Sequence, residues 1–146
     1  MATVTFDKVK LDMELPPLVR NVDQKVITRN AAASLDYNPI HVNPEWAKKV
    51  NLLGEGTTIA HGMCTFSFMT SVVTDWCYSS GAFISKLESK FIEPVRPGDS
   101  VTCKGVVSEK HPRKRGKSFV VIDLWAENQR GVKVAVGKAH VILTKD

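Results

Sequence analysis

From Gly62 to Thr74 the chain reads GMCTFSFMTSVVT, without one charged side chain, and no other stretch does more to restrict the fold. Met63, Phe66, Met69, Val72, Val73 and Trp76 spread their bulk around about four helical turns. A helix that is apolar on most sides belongs inside the protein. It does not belong in a membrane, because no apolar run approaches the roughly 20 residues a spanning helix needs. Something else in the chain has to wrap it.

The second half of the sequence supplies the wrapping. From Ala82 the period becomes two, with Phe83, Leu87 and Phe91 on one face and Lys86, Glu88 and Lys90 on the other, as in a half-buried strand. The turn EPVRPGDS follows, where Pro97 and Gly98 suit the backbone angles. Three more strand-like runs come next, Ser100 to Ser108, Ser118 to Glu127 and Val132 to Leu143, joined by turns at Lys110 to Lys117 and Asn128 to Gly131. A twisted antiparallel sheet with one apolar face covers that face by curling around the uncharged helix, an α+β arrangement. Such a unit keeps an open sheet edge and a partly wrapped helix, so a dimer or other two-unit assembly is expected. With no linker or repeat in 146 residues, a single domain over 1–146 accounts for the whole chain.

The first half is mixed. PPLVRNVDQKVIT reads as extended, and Thr28 then caps a short helix over Arg29 to Ala33. That helix stops near Asp36, because Pro39 disfavours helical geometry at Asn38 and has no N–H to donate. A second short helix starts with Asn43 as cap and Pro44 in first position. NLLGEGTT is a glycine-punctuated loop leading to the uncharged helix.

Chemistry concentrates in SLDYNPIHVNPEW, Ser34 to Trp46. On a continuous helix Asp36 and His41 would stand about 140° apart around the axis. Broken at Asn38-Pro39, the chain swings back and aims both at one small volume, where a carboxylate and an imidazole on one water are general acid/base equipment. The plainer reading also stands at this point: Asp and Asn before Pro terminate helices, and a histidine beside a turn often serves only as a hydrogen-bonding surface residue. A second constellation is IAHGM, Ile59 to Met63. Gly62 permits close approach to the backbone, and free N–H groups at a helix N-terminus receive an oxyanion. Alternatively, Gly62 permits tight packing while His61 caps locally.

Taken together these stretches resemble the MaoC-like family of hotdog-fold enoyl-thioester hydratases and 3-hydroxyacyl-thioester dehydratases. AAASLDYNPIHVNPEWAKK is similar to the hydratase motif D-x-N-P-[IL]-H and the helix beside it, TIAHGM to the opening of the central helix, and KFIEPVRPGD to the strand and turn after it. The resemblance implies that Asp36 and His41 activate one water and that the Gly62 N–H binds the thioester carbonyl oxygen. The implied reaction is hydration of a trans-2-enoyl thioester to the (R)-3-hydroxyacyl thioester, or its reverse. Asn38, His61 and Ser34 rank behind as site residues. An Asp at its reference pKa of about 3.9 is a feeble base for water, so burial is expected to strengthen it. Where the family commonly has Ser-Gly-Asp this chain has Ser34, Leu35 and Asp36, which bears on the helix end and on substrate shape.

Other features bound the partners. Cys64, Cys77 and Cys103 are odd in number and lack metal or redox spacing, so they read as free buried thiols in a reducing compartment, with neither disulfide nor metal. MATVTFDKVK has no apolar core of signal-peptide length, which suits a soluble, cytoplasmic protein. The net charge of +5 favours an acidic partner. KHPRKRGK, Lys110 to Lys117, is either a solvated turn or a contact for coenzyme A or an acyl carrier protein. No aromatic residue interleaves with these charges, which argues against nucleic acid. The expected partners are therefore an acyl thioester on coenzyme A or an acyl carrier protein and a second hotdog chain, identical or related, with no cofactor beyond the substrate and no membrane. Two alternatives remain: a thioesterase on the same fold, and a non-catalytic acyl-binding subunit.

Overall fold

Alternation of apolar and polar residues after Phe83 builds one antiparallel sheet, and the uncharged segment lies across it. The computed structural model describes residues 3–145. Its strands are β1 Leu18–Asn21, β2 Phe83–Phe91, β3 Ser100–His111, β4 Phe119–Glu127 and β5 Lys133–Ile142, in the spatial order β1-β3-β4-β5-β2. The helices are α1 Gln24–Ser34, α2 Pro39–Val42, α3 Pro44–Val50 and α4 Gly62–Cys77, and α4 packs against all five strands. This is the α+β hotdog arrangement that the sequence resemblance implies.

Register carries the core. Val107 pairs with Ile122, Ile122 with Ala139 and Ala139 with Leu87, so one row of apolar side chains crosses four strands beneath the helix. Met69, Val72 and Val73 of α4 bury themselves against this face. Each such side chain contributes about 1.5–3 kcal/mol when fully buried. Gly137 permits the close contact of β5, β2 and α4: a Cβ there would lie 2.3 Å from the Glu88 carbonyl oxygen and 3.1 Å from Met69 Cε. Cys64, Cys77 and Cys103 are free thiols and all three are buried. Among the described residues no helix is long and apolar enough to cross a membrane.

Local chemistry moves several boundaries. α1 begins at Gln24 instead of after Thr28, because Asp23 Oδ1 accepts from Val26 N–H at 2.7 Å and caps the helix early. Only Leu18–Asn21 of the stretch read as extended is a strand. α1 ends at Ser34 with Leu35 in the left-handed region (φ 59°). Pro39 then opens a further helix of four residues, with Asn38 Oδ1 accepting from Ile40 N–H. α4 runs three residues past Thr74.

Burial differs from expectation at two places. Met63 is exposed and Phe66 and Trp76 only half-buried, because α4 faces the sheet with Cys64, Thr65, Met69, Val72, Val73 and Cys77 and leaves its other side open. Phe83 does not share the inner face of Leu87, since a bulge between Ile84 and Lys86 reverses the alternation and turns Ile84 inward. Both departures leave apolar surface on the side of α4 and β2 that no other strand covers.

Candidate active site

The segment between α1 and α4 folds so that its polar side chains meet at the start of α4. Asp36 Oδ1 accepts from Asn38 N–H at 3.2 Å, a local turn that leaves Oδ2 on the side of two histidines. The short helix α2, capped by Asn38, carries His41 back: its Nε2 lies 4.0 Å from Asp36 Oδ2. His61, the residue before α4, brings its Nε2 to 3.9 Å from the same oxygen and 2.9 Å from the Asp36 backbone carbonyl. The two imidazoles stack with centroids 3.7 Å apart.

Hydrogen-bond partners fix the tautomers. His41 Nδ1 lies 2.8 Å from the Ile59 carbonyl, which only accepts, so Nδ1 carries a proton and a neutral His41 presents its Nε2 lone pair toward Asp36. By the same logic His61 donates from Nε2 to the Asp36 carbonyl, and its buried Nδ1 has no partner among the described residues. A gap of 4.0 Å between Asp36 Oδ2 and His41 Nε2 exceeds a direct hydrogen bond and suits a water touching both. Asp36, His41 and His61 each also offer a metal-ligand atom, all within 4.8 Å of one another. Coordination by His61 Nε2 would require it to release the Asp36 carbonyl.

Gly62 opens α4, and neither its N–H nor that of Met63 has an acceptor among the described residues, while His61 makes no side-chain cap. These bare donors carry the positive end of the helix dipole. The Phe91 ring lies over Gly62 so closely that a Cβ would sit 2.8 Å from its Cδ2 and Cε2. A cavity of about 300 Å³ adjoins this point, lined among others by Gly62, Thr65, Ile59, Phe91 and Val95. A larger groove of about 590 Å³ lies elsewhere, on the outer face of the sheet around Val106, Trp125 and Val136, and touches none of Asp36, His41, His61 and Gly62.

Asp36, His41 and His61 therefore come together, Gly62 follows His61 in the chain, and Asn38 supports them as a cap. Ser34 does not join: its hydroxyl donates to the Asn30 carbonyl on its own helix at 2.8 Å. Asp36 keeps 53% of its side chain exposed, so this chain alone does not supply the burial that the sequence reading asks for. Leu35 is exposed as well and lines no wall of the cavity. The sequence reading missed Gln24, which donates to the His41 carbonyl at 2.8 Å and accepts from the Thr58 hydroxyl, tying α1 to the segment that carries the histidines. Nothing in its sequence neighbourhood marks it.

Comparison with known proteins agrees with this fold. An (R)-specific enoyl-CoA hydratase of Rhodospirillum rubrum is 33% identical over 114 residues, 78% of this chain and 76% of that one. Six longer relatives are matched over 26% or less of their own length. R-hydratase PhaJ1 of Pseudomonas aeruginosa shares the fold with a TM-score of 0.86 at 22% identity, over 99% of this chain and 88% of its own. A chain of the ChsH1-ChsH2 complex of Mycobacterium tuberculosis does so with a TM-score of 0.76 at 19% identity, over 92% of this chain and 98% of its own. The description of the MaoC like domain matches residues 8–129, and the chain belongs to that family.

Proposed function

We propose that the protein hydrates trans-2-enoyl thioesters to (R)-3-hydroxyacyl thioesters, or runs the reverse dehydration, with Asp36 and His41 handling one water. The observation that carries this reading is the pair of groups 4.0 Å apart beside the uncapped start of α4. In the hydration direction the water oxygen bonds to the β-carbon and gives up a proton to the Asp36/His41 pair. The electron pair of the double bond moves toward the thioester oxygen, where the Gly62 N–H receives the developing charge. One proton then passes from the pair to the α-carbon, leaving the pair unchanged over the turnover. An oxyanion donor of this kind lowers the barrier by about 3–4 kcal/mol. His61 orients the Asp36 backbone and stacks on His41, so it positions rather than reacts.

The family membership and the hydratase among the relatives support the reaction class. The unpaired edge of β2 and the exposed Met63, Phe83 and Phe91 support pairing with a second hotdog chain, identical or related, which would bury the half-exposed Asp36. The three free buried thiols suit a reducing, cytoplasmic setting. The test is a panel of trans-2-enoyl-CoA substrates of rising chain length, each followed by loss of the enoyl ultraviolet absorbance. Consumption of the enoyl group without thiol release, giving an (R)-3-hydroxy product, is expected. Release of free thiol from the panel would make the protein a thioesterase instead.

A further inference from the structure

The basic stretch Lys110 to Lys117 stays outside the chemistry above, and the fold gives it neighbours that its sequence does not show. Lys110 turns away, placing its ammonium on the Val9 carbonyl and over the Phe6 ring. Arg113, Lys114, Arg115 and Lys117 remain exposed on the β3–β4 hairpin, and none has a carboxylate within ion-pair distance among the described residues. The strand register lines up three rings beside them. His111 stacks on Phe119 at 4.5 Å and Phe119 on His140 at 5.4 Å, each pair within 10° of parallel, with the Arg113 guanidinium 5.3 Å from the Phe119 centroid. A cavity of about 370 Å³ lies between them, lined by Ser85, Arg113, Lys117, Phe119, His140 and Ile142. The base of the hairpin is pinned, since Arg113 N–H donates to Ser118 Oγ and Leu143 N–H to the Ser118 carbonyl.

Unpaired cations beside a stack of flat rings form a site for a phosphorylated aromatic group: guanidinium and ammonium groups hold phosphate while the rings receive a base. We propose that this hairpin pocket binds the phosphate-bearing nucleotide end of a coenzyme A thioester whose acyl group lies in the site of the partner protomer. The inference rests on the hydratase reading and deepens it.

The trans placement follows from the direction of the elements. α4 spans about 24 Å from Gly62 to Cys77. The hairpin pocket lies toward the far end, where Phe83 and Phe119 both pair with Ile142. β2 is the edge strand, and a two-fold pairing of β2 with its copy is antiparallel. Such pairing sets the Phe83 end of one chain, with its hairpin, beside the Phe91 and Gly62 end of the other. The pocket then lies at the same end of the pair as its partner's site, and the extended pantetheine arm bridges the two.

The test compares the protein with an Arg113→Ala/Lys114→Ala/Arg115→Ala/Lys117→Ala variant on an enoyl-CoA and on the matching enoyl-pantetheine, which lacks the nucleotide. A rise of about tenfold in KM for the CoA substrate, with the pantetheine substrate unaffected, is expected. Equal effects on both, or none on either, overturn the proposal, as does an effect confined to an acyl carrier protein thioester. If the protein hydrates neither substrate, the hydratase reading fails, and calorimetric titration with adenosine 3′,5′-bisphosphate still decides the pocket: binding abolished in the variant supports it, and absence of binding overturns it. Mixed dimers test the trans placement. With Asp36→Asn and the hairpin substitutions on separate chains the surviving site keeps its KM, and with both on one chain KM rises. The opposite pattern places the pocket in cis and overturns the bridging arrangement.

Discussion

The two ends of α4 are made differently. At the C-terminal end the Tyr78 N–H returns to the Thr74 carbonyl, Val4 N–H donates to Ser80 Oγ at 2.6 Å and Thr144 Oγ1 donates to the Ser80 carbonyl, so the end is tied into the body of the protein. At the N-terminal end Gly62 and Met63 present N–H groups without acceptors among the described residues, and Asp36 and His41 gather around His61, the residue before them. A helix end left unsatisfied costs stability unless water or a ligand completes it. One end is closed by the fold and the other stays open, where the proposed chemistry is placed, and this sets the order of what substitutions should do.

The largest effect belongs to the open end. Asp36→Asn and His41→Ala should each lower kcat by about 10²–10⁴, the usual worth of a general acid or base. The midpoint of thermal unfolding should barely move for Asp36→Asn, because Asp36 is half-exposed. Gly62→Ala comes next. Its methyl would press on the Phe91 ring and displace the N–H donors, and a misplacement approaching 1 Å costs about 10² in kcat/KM. A steady-state comparison at saturating and limiting substrate reads both.

Ser80→Ala tests the closed end and should do the reverse. It removes the acceptor of Val4 N–H inside the protein, which costs about 1 kcal/mol, seen as a fall of roughly 2–4 °C in melting temperature with kcat/KM unchanged. Loss of activity there would erase the distinction between the ends.

The thiols give the smallest effect. Burial pushes Cys64 up to about 11 and Cys103 to about 12, even though Cys64 lies in the first turn of α4, where the dipole favours a thiolate. Neither should react with a thiol reagent at neutral pH until the protein unfolds. Above the unfolded value of about 9 the unfolded chain releases these protons while the folded chain keeps them. Stability is therefore fully present below about pH 9, falls as pH rises further, and is lost progressively toward 11 and 12. A denaturant titration repeated from pH 7 to 10.5 would show the midpoint declining only over its last part.

Much of this was legible in the sequence where a residue acts through its own local chemistry. The uncharged run marked α4, period two marked the strands, and Asn43-Pro44 marked the start of α3. Asp36 and His41 stood out because a proline between them breaks the helix that would hold them apart. What stayed hidden depends on residues distant in the chain. The cap at Asp23 is the exception, a local contact with Val26 N–H that a competing Thr28 obscured, whereas the bulge near Ser85 that turns Phe83 outward follows from pairing with β5. The His61 contact with the Asp36 carbonyl and the Gln24 tether to the His41 carbonyl cross loops of 25 and 17 residues. The aromatic stack beside the basic hairpin escapes a linear reading because His111, Phe119 and His140 come from three strands.

The central claim is that Asp36 and His41 act on one water at the open end of α4. The direct measurement is kcat for trans-2-enoyl-CoA hydration in Asp36→Asn, His41→Ala and the double variant. Groups that work as a unit are non-additive. The double variant should therefore lose no more than the worse single one. Losses that multiply, or single variants that retain full activity, would contradict the account.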